Sequence, residues 1–563
     1  MNIQQEVNDM NNNPFVRYLN SLHNVDAENP SAYTEMSISS PYFSHIMVQR
    51  EVGNYIDTQL TSEAPHVFIL TGHAGDGKTA ILYQVMKKWG AISGQETLTD
   101  ITDVVMPNGR ICRCIKDFSE LEADKRQSIF QDILALPENG KSAFLVANTG
   151  PLIATFTSLM ELNDVNKLVG AIDENTGEIF EYNGVPISAI NVATIDNSTF
   201  VAPFISKTLN SSLWMPCREC EKASYCPIVM NRDIMANAEK NISEFISDHY
   251  IWQQEHGNKL TIRQIVAHLA YAITGGLQCN QIKYTRGMRF RRLCSNNFFG
   301  YNGVKPDAKA TAIKAVADII VEAYDHKKLR ADEELFIKND QSALPVDVQQ
   351  ILATDGLPYQ RKDGWQPAVR RAYIFLNCEK NSEKKVMLKQ DAFSPWFPRY
   401  LELRNGSTPS IKDKDLIVDA LKMLFLGSLS TDNEIPITMR REENSTQCVQ
   451  LVYDNILKKN IKLQLHEIQD YSTAEKYRLY MSVKGELITT PLSLPLINYF
   501  EEMRRGAIQT NIDPQLSQGI DSIRAQLIAL TEGDETDIEM RIITNNGWDS
   551  IKASFEDGTW YIN

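Results

Sequence analysis

Gly72-His-Ala-Gly-Asp-Gly-Lys-Thr79 is the stretch whose residue types and spacing carry the most chemistry. It matches G-x-x-x-x-G-K-[ST], which chance supplies in only about one of a hundred chains of this composition. Gly72, Gly75 and Gly77 let the backbone curl, so that several N–H groups turn inward around an anion. A helix starting at the end of the turn adds its positive end. Lys78 would reach the β- and γ-phosphates of ATP, and the Thr79 hydroxyl would ligate Mg2+. The flanks fit. Pro65-His-Val-Phe-Ile-Leu70 reads as a buried strand. After the turn, Ile81, Leu82, Val85, Met86 and Trp89 fall on one helical face, closed by Gly90. The plain alternative is a glycine turn before an ordinary helix.

Hydrolysis needs an acidic site as well. Ile115-Lys-Asp-Phe-Ser-Glu120 supplies one after a strand expected over 110–116. Asp117 would hold the Mg2+ water shell, and Glu120 would polarise the attacking water. Arg113 and Lys116 make that strand less apolar than usual, and the second acid stands three residues past Asp117. A solvated acidic turn is the competing reading. A second buried strand, Ser142-Ala-Phe-Leu-Val-Ala147, runs into Asn148-Thr-Gly150. Asn148 would orient water near the γ-phosphate, or simply end the strand in a turn.

Two further groups stand out. Cys217-x2-Cys220-x5-Cys226-Pro227 is a compact thiol cluster suited to structural Zn2+. A fourth ligand is open between Cys279, Cys294 and a histidine such as His249. An iron–sulfur cluster, a catalytic thiol and small core residues packed beside Trp214 are the alternatives. Lys283-Tyr-Thr-Arg-Gly-Met-Arg-Phe-Arg-Arg292 carries five basic residues among Tyr284 and Phe290. Such a stretch tracks a phosphate backbone, supplies an arginine finger to a neighbouring subunit, or is a solvated helix face. Arg370-Arg371, before a strand-like Tyr373-Ile-Phe-Leu376, is another finger candidate.

The elements around these residues alternate strand and helix, which predicts an α/β fold: a parallel sheet flanked by helices. A short helix is expected around Phe15 to Leu22, helix over 41–61 and 124–136, a hairpin at Asn175-Thr-Gly177 and a strand near Ile190 to Ile195. A helical lid-like region with the cysteine loop follows, then a mixed α+β region whose alternating segments, Tyr477 to Val483 and Glu539 to Ile543, suggest one small antiparallel sheet. The expected divisions are 1–40, 41–205, 206–305 and 306–563. The 563 residues carry a net charge of −14, which argues against wholesale coating of nucleic acid or an anionic membrane. The Asn-rich stretch before Pro14 lacks the apolar core of a signal peptide, and no apolar run is long enough to span a bilayer. Nine cysteines are too few for a disulfide scaffold, so a cytoplasmic protein is expected.

The order of motifs resembles AAA+ and related ring ATPases over residues 41 to about 200: a phosphate loop, an acidic strand end, then a strand ending in a sensor asparagine. That resemblance offers Arg263, at the start of the lid-like helix, as a second sensor, with an ordinary surface arginine as the more common reading; a homo-oligomer is also admitted. Taken together, Gly72 to Thr79, Lys116-Asp-Phe-Ser-Glu120 and the Cys217/Cys220/Cys226-Pro227 loop resemble the DptF family over about 40–300. The resemblance implies the ATPase component of a bacterial phosphorothioate-dependent DNA restriction and anti-phage system. Its partners would be DptG- and DptH-like proteins, with DNA reached through the complex and cut by a partner. A nucleotide-dependent assembly switch with slow or no hydrolysis is the second expectation, and a stand-alone phosphotransferase the third.

Overall fold

The computed structural model describes residues 12–23, 40–92, 98–322, 328–354, 365–377, 381–426, 433–438, 449–469, 471, 476–506, 512–530, 537–544 and 547–562. The chain forms two compact units, Met1–Ala392 with Gln469–Thr473, and Phe393–Ile468 with Ala474–Asn563. The divisions expected near 40, 205 and 305 lie inside the first.

The first unit is α/β around a mixed six-stranded sheet. Its strands are β1 (Val67–Thr71), β2 (Ile101–Val105), β3 (Ile111–Ile115), β4 (Ser142–Val146), β5 (Ile179–Tyr182) and β6 (Val185–Asn191). The order is β2-β3-β4-β1-β6-β5. The four inner strands run parallel, and β2 and β5 close the edges antiparallel. β1 is buried along its whole length, as a strand covered on both faces must be. Its side chains alternate: Phe68 and Leu70 join the core under the helices Glu51–Ser62 and Lys78–Lys88, whereas Val67 and Ile69 join Phe130, Leu152 and Phe156 on the other face.

Asn175 does not open a hairpin. It stands at φ 52° and ends the helix Leu162–Glu174. The β5–β6 turn falls at Asn183-Gly184, both at positive φ, where an Asn-Gly pair matches the twist of a two-residue hairpin. The run Tyr373 to Leu376 is the end of a helix, Trp365–Leu376, rather than a strand. That helix is buried nearly all round, so its apolar run shows no period.

The helical part of this unit includes Pro227–Asn237, Glu239–Glu255 and Ile262–Thr274. The helix Pro14–His23 packs on the last of these, with Asn20 donating to the Leu277 carbonyl at 2.7 Å and Phe15 edge-on to Trp214. His268 is fully buried between the Tyr250 hydroxyl at 2.9 Å and the Phe298 carbonyl at 2.8 Å. Burial pushes it down to about 4, which keeps the ring neutral.

In the second unit the strands form two antiparallel sheets where one was expected. Tyr477–Val483 lies in a three-stranded sheet with Ile461–Glu467 and Glu486–Ile488. Asp537–Thr544 pairs with Val449–Leu457 and Gly547–Glu556 in a five-stranded one. No helix among the described residues is long and apolar enough to cross a membrane.

Candidate functional site

The strand order decides what meets at the carboxyl edge of the sheet. β4 lies between β1 and β3, so Gly72 after β1, Asn148 after β4 and Asp117 after β3 come side by side. Crevices at this edge are where open α/β sheets place ligands.

After β1 the chain turns through Gly75 at φ 92° and Gly77 at φ 83°, and the helix Lys78–Lys88 begins. The turn is braced from inside and outside. The Asp76 carboxylate accepts from the His73 N–H at 2.8 Å. Arg50 donates through Nη1 to the Asp76 carbonyl at 3.0 Å and through Nη2 to Asn197 Oδ1 at 3.2 Å. Arg50 is itself fixed by a reciprocal backbone–amide pair with Gln84 on the helix, both bonds 2.9 Å. Sequence reasoning missed Arg50 and Asn197, because neither lies in a motif. Asp76 stood inside one at a variable position.

Lys78 is buried, and its ammonium donates to three oxygens: the Gly72 carbonyl at 3.1 Å, the His73 carbonyl at 2.8 Å and Asn148 Oδ1 at 2.8 Å. Burial pushes it below its ordinary value; Arg263 adds to that, while Asp76 and Asp117 oppose it. Asn148 therefore meets Lys78 directly. The backbone N–H of Asn148 donates to Ser119 Oγ at 2.6 Å, which ties the β4 end to the acidic turn. Asp117 Oδ1 accepts from the Ser119 N–H at 2.9 Å and so starts the short turn Phe118–Glu120. Asp117 is half-buried and Glu120 is exposed.

The helix Ile262–Thr274 begins against the glycine turn. Thr261 and Gln264 form a reciprocal cap, and the Arg263 N–H donates to the Gly75 carbonyl at 3.0 Å. A Cβ on Gly75 would stand 3.1 Å from Thr261 Oγ1 and 3.2 Å from Arg263 Cβ. With φ at 92° as well, Gly75→Ala is expected to cost about 1–3 kcal/mol. It should lower the melting temperature and loosen this helix from the turn. Gly150→Ala is the control: nothing lies within 4 Å of its Cβ, and no melting loss is expected. Equal melting of the two variants would contradict the steric account.

These groups line one cleft of about 630 Å3. Its polar end holds Gly75, Gly77, Lys78, Thr79, Asp117, Glu120, Asn148 and Arg263. Three helices, Lys78–Lys88, Thr149–Leu159 and Ile262–Thr274, present their first residues or N-cap to it. Three positive helix ends and a lysine make this end a place for an anion. Arg50, Gln84, Lys116 and Ser119 also line it, and an apolar wall comes from Tyr18, Leu22, Phe43, Ile46, Phe200 and Phe204. The volume lies within the range of about 300–1,000 Å3 usual for small-molecule sites.

The other candidates lie apart from this cleft. Cys217, Cys220 and Cys226 line a second, small cavity. Among the described residues, as their side chains stand, no group of three or more His, Cys, Asp or Glu could hold a metal ion. In the basic stretch Tyr284 is 82% exposed, Phe290 is buried, and Arg292 pairs with Asp307 at 2.6 Å. Arg370 bonds both Asp332 oxygens, at 2.8 and 2.9 Å. Arg371 is fully buried, donates to Asn296 Oδ1 and the Gly303 carbonyl, and lies 3.9 Å over the Tyr301 ring. Both guanidiniums are thus committed within the chain. No protein-family model, curated protein or solved structure matches the chain.

Proposed function

We propose that this chain is a P-loop ATPase, and that it serves as the ATP-binding and ATP-hydrolysing subunit of a bacterial, cytoplasmic DNA restriction and anti-phage complex. One observation carries the ATPase reading. A single cleft brings together Lys78, Thr79, two carboxylates, Asn148 and three helix N-termini beside an apolar wall. Triphosphate oxygens take the backbone N–H groups of the glycine turn and the Lys78 ammonium. Thr79 would hold Mg2+ through its hydroxyl and Asp117 through the ion's waters, and the ion would offset charge on the phosphates. Asn148 and Glu120 orient and polarise the attacking water. The aromatic and aliphatic residues of the wall take the adenine. The restriction role rests on the resemblance to the DptF family in the glycine turn, the 116–120 segment and the cysteine loop.

The test is ATP turnover by the purified chain together with DptG- and DptH-like partner proteins, with and without DNA. Turnover is expected to rise several-fold with DNA. Turnover indifferent to DNA would sink the restriction role and leave the ATPase reading standing. A second reading, a nucleotide-dependent assembly switch with slow hydrolysis, draws on Glu120, which is exposed at the end of its turn. It predicts ATP-dependent assembly that survives Glu120→Gln.

A further inference from the structure

Four cysteines, not three, meet in the helical part of the first unit. Cys217, Cys220, Cys226 and Cys279 line one cavity of about 20 Å3, together with Asn13, Val16 and Lys222. Three of them come from a loop made of successive tight turns. The Cys220 N–H bonds the Cys217 carbonyl, Ala223 N–H bonds Cys220, and Cys226 N–H bonds Ala223, at 3.4, 3.0 and 3.3 Å. Cys279 arrives from the chain that leaves the helix Ile262–Thr274. It is tied to the loop by Lys222, whose ammonium donates to the Cys279 carbonyl at 3.2 Å. All four are free thiols.

We infer that Cys217, Cys220, Cys226 and Cys279 are the four ligands of a structural Zn2+ site. Four observations support it. Two ligands come from a C-x2-C turn and two from elsewhere, which suits a closed tetrahedral site of four thiolates. A donor already meets one of the sulfurs: Asn13 Nδ2 stands 3.3 Å from Cys217 Sγ. Such outer bonds hold thiolates in place at metal centres. Lys222 lines the cavity and offsets part of the charge that four thiolates and one Zn2+ would leave. The cavity has room for one small body, since a single water needs about 10–15 Å3. An iron–sulfur cluster is larger.

The side chains as they stand do not form a group that could hold a metal ion; the four thiols would have to close up around Zn2+, and binding would release their protons to solvent. The two other candidates for the fourth ligand lie elsewhere. Cys294 heads a short helix with its N–H on Asn231 Oδ1, and His249 is buried against Phe245 and Phe298. The site matters for the cleft because the helix Pro14–His23 and the residue before it serve both: Asn13 and Val16 stand at the thiols, and Tyr18 and Leu22 at the cleft wall.

The experiment is metal analysis of the purified full chain, of Cys279→Ser and of Cys294→Ser, with cobalt titration of the metal-stripped wild type. About one zinc per chain is expected in the wild type and in Cys294→Ser, and almost none in Cys279→Ser. Cobalt should give the visible bands of a tetrahedral ion with strong thiolate charge transfer. The cobalt arm uses native sequence, so it decides the matter even where Cys279→Ser fails to fold. A wild type that neither carries zinc nor takes up cobalt overturns the site. Full zinc in Cys279→Ser overturns the fourth ligand. Neither readout involves ATP, so the result stands apart from the proposed ATPase activity.

Discussion

Lys78→Ala is expected to lower ATP turnover by about 10²–10³-fold, the cost of losing one preorganised donor to developing negative charge. The effect on folding should be much smaller. Removing the side chain takes a donor from two carbonyls and Asn148, which costs about 1–3 kcal/mol for each group left unsatisfied. It also removes a buried ammonium that burial already pushes below its ordinary value, and that relief offsets part of the cost. The cleft is open to water, which replaces the lost donor at Asn148. Turnover and thermal melting measured on the same preparation separate the two effects. A melting loss as severe as the turnover loss would mean that Lys78 acts as a structural brace.

Asp117→Asn should be nearly as damaging, by a different route. The amide oxygen keeps the 2.9 Å bond from the Ser119 N–H, so the turn that positions Glu120 survives. What disappears is the negative charge beside the place assigned to Mg2+. Turnover is expected to fall by about 10²-fold or more, and the Mg2+ concentration needed for half-maximal activity to rise. ATP binding without Mg2+ should be unchanged. A variant with reduced turnover but the same Mg2+ dependence would remove Asp117 from the metal role.

The central strand, the glycine turn and the following helix were legible in the sequence because several signals agree there. A fully apolar strand, glycines at fixed spacing and a 3.6-residue period all point to one strand–turn–helix unit. Asn148 and Asp117 were legible as strand ends. What the sequence does not contain is the order of strands, and only that order puts β4 beside both β1 and β3. The same holds for the helix Ile262–Thr274: Arg263 is a single surface arginine in the sequence, and only the fold puts its backbone N–H on the Gly75 carbonyl.

Other features were hidden for local reasons. β2 and β5 are edge strands, half exposed, with no apolar run to mark them. The helix Trp365–Leu376 is buried nearly all round in its second half, and four consecutive apolar residues at its end imitate a strand. The hairpin signal was present twice, at Asn175 and at Asn183, and the adjacent Asn-Gly pair was the stronger of the two. The apolar wall of the cleft comes from helix and loop segments at 18–22, 43–48 and 200–204, too far apart in the chain for a motif. Cys279 stands more than fifty residues from the loop it joins, so three cysteines were visible as a group and the fourth only as one of several candidates.

Equilibrium titration of ATP with Mg2+ into the full chain tests the central claim most directly. The predicted result is one saturable site per chain, displaced by ADP and lost or strongly weakened in Lys78→Ala. No saturable binding up to about millimolar ATP, the upper end of ordinary enzyme affinities, would contradict it. So would binding that Lys78→Ala leaves unchanged.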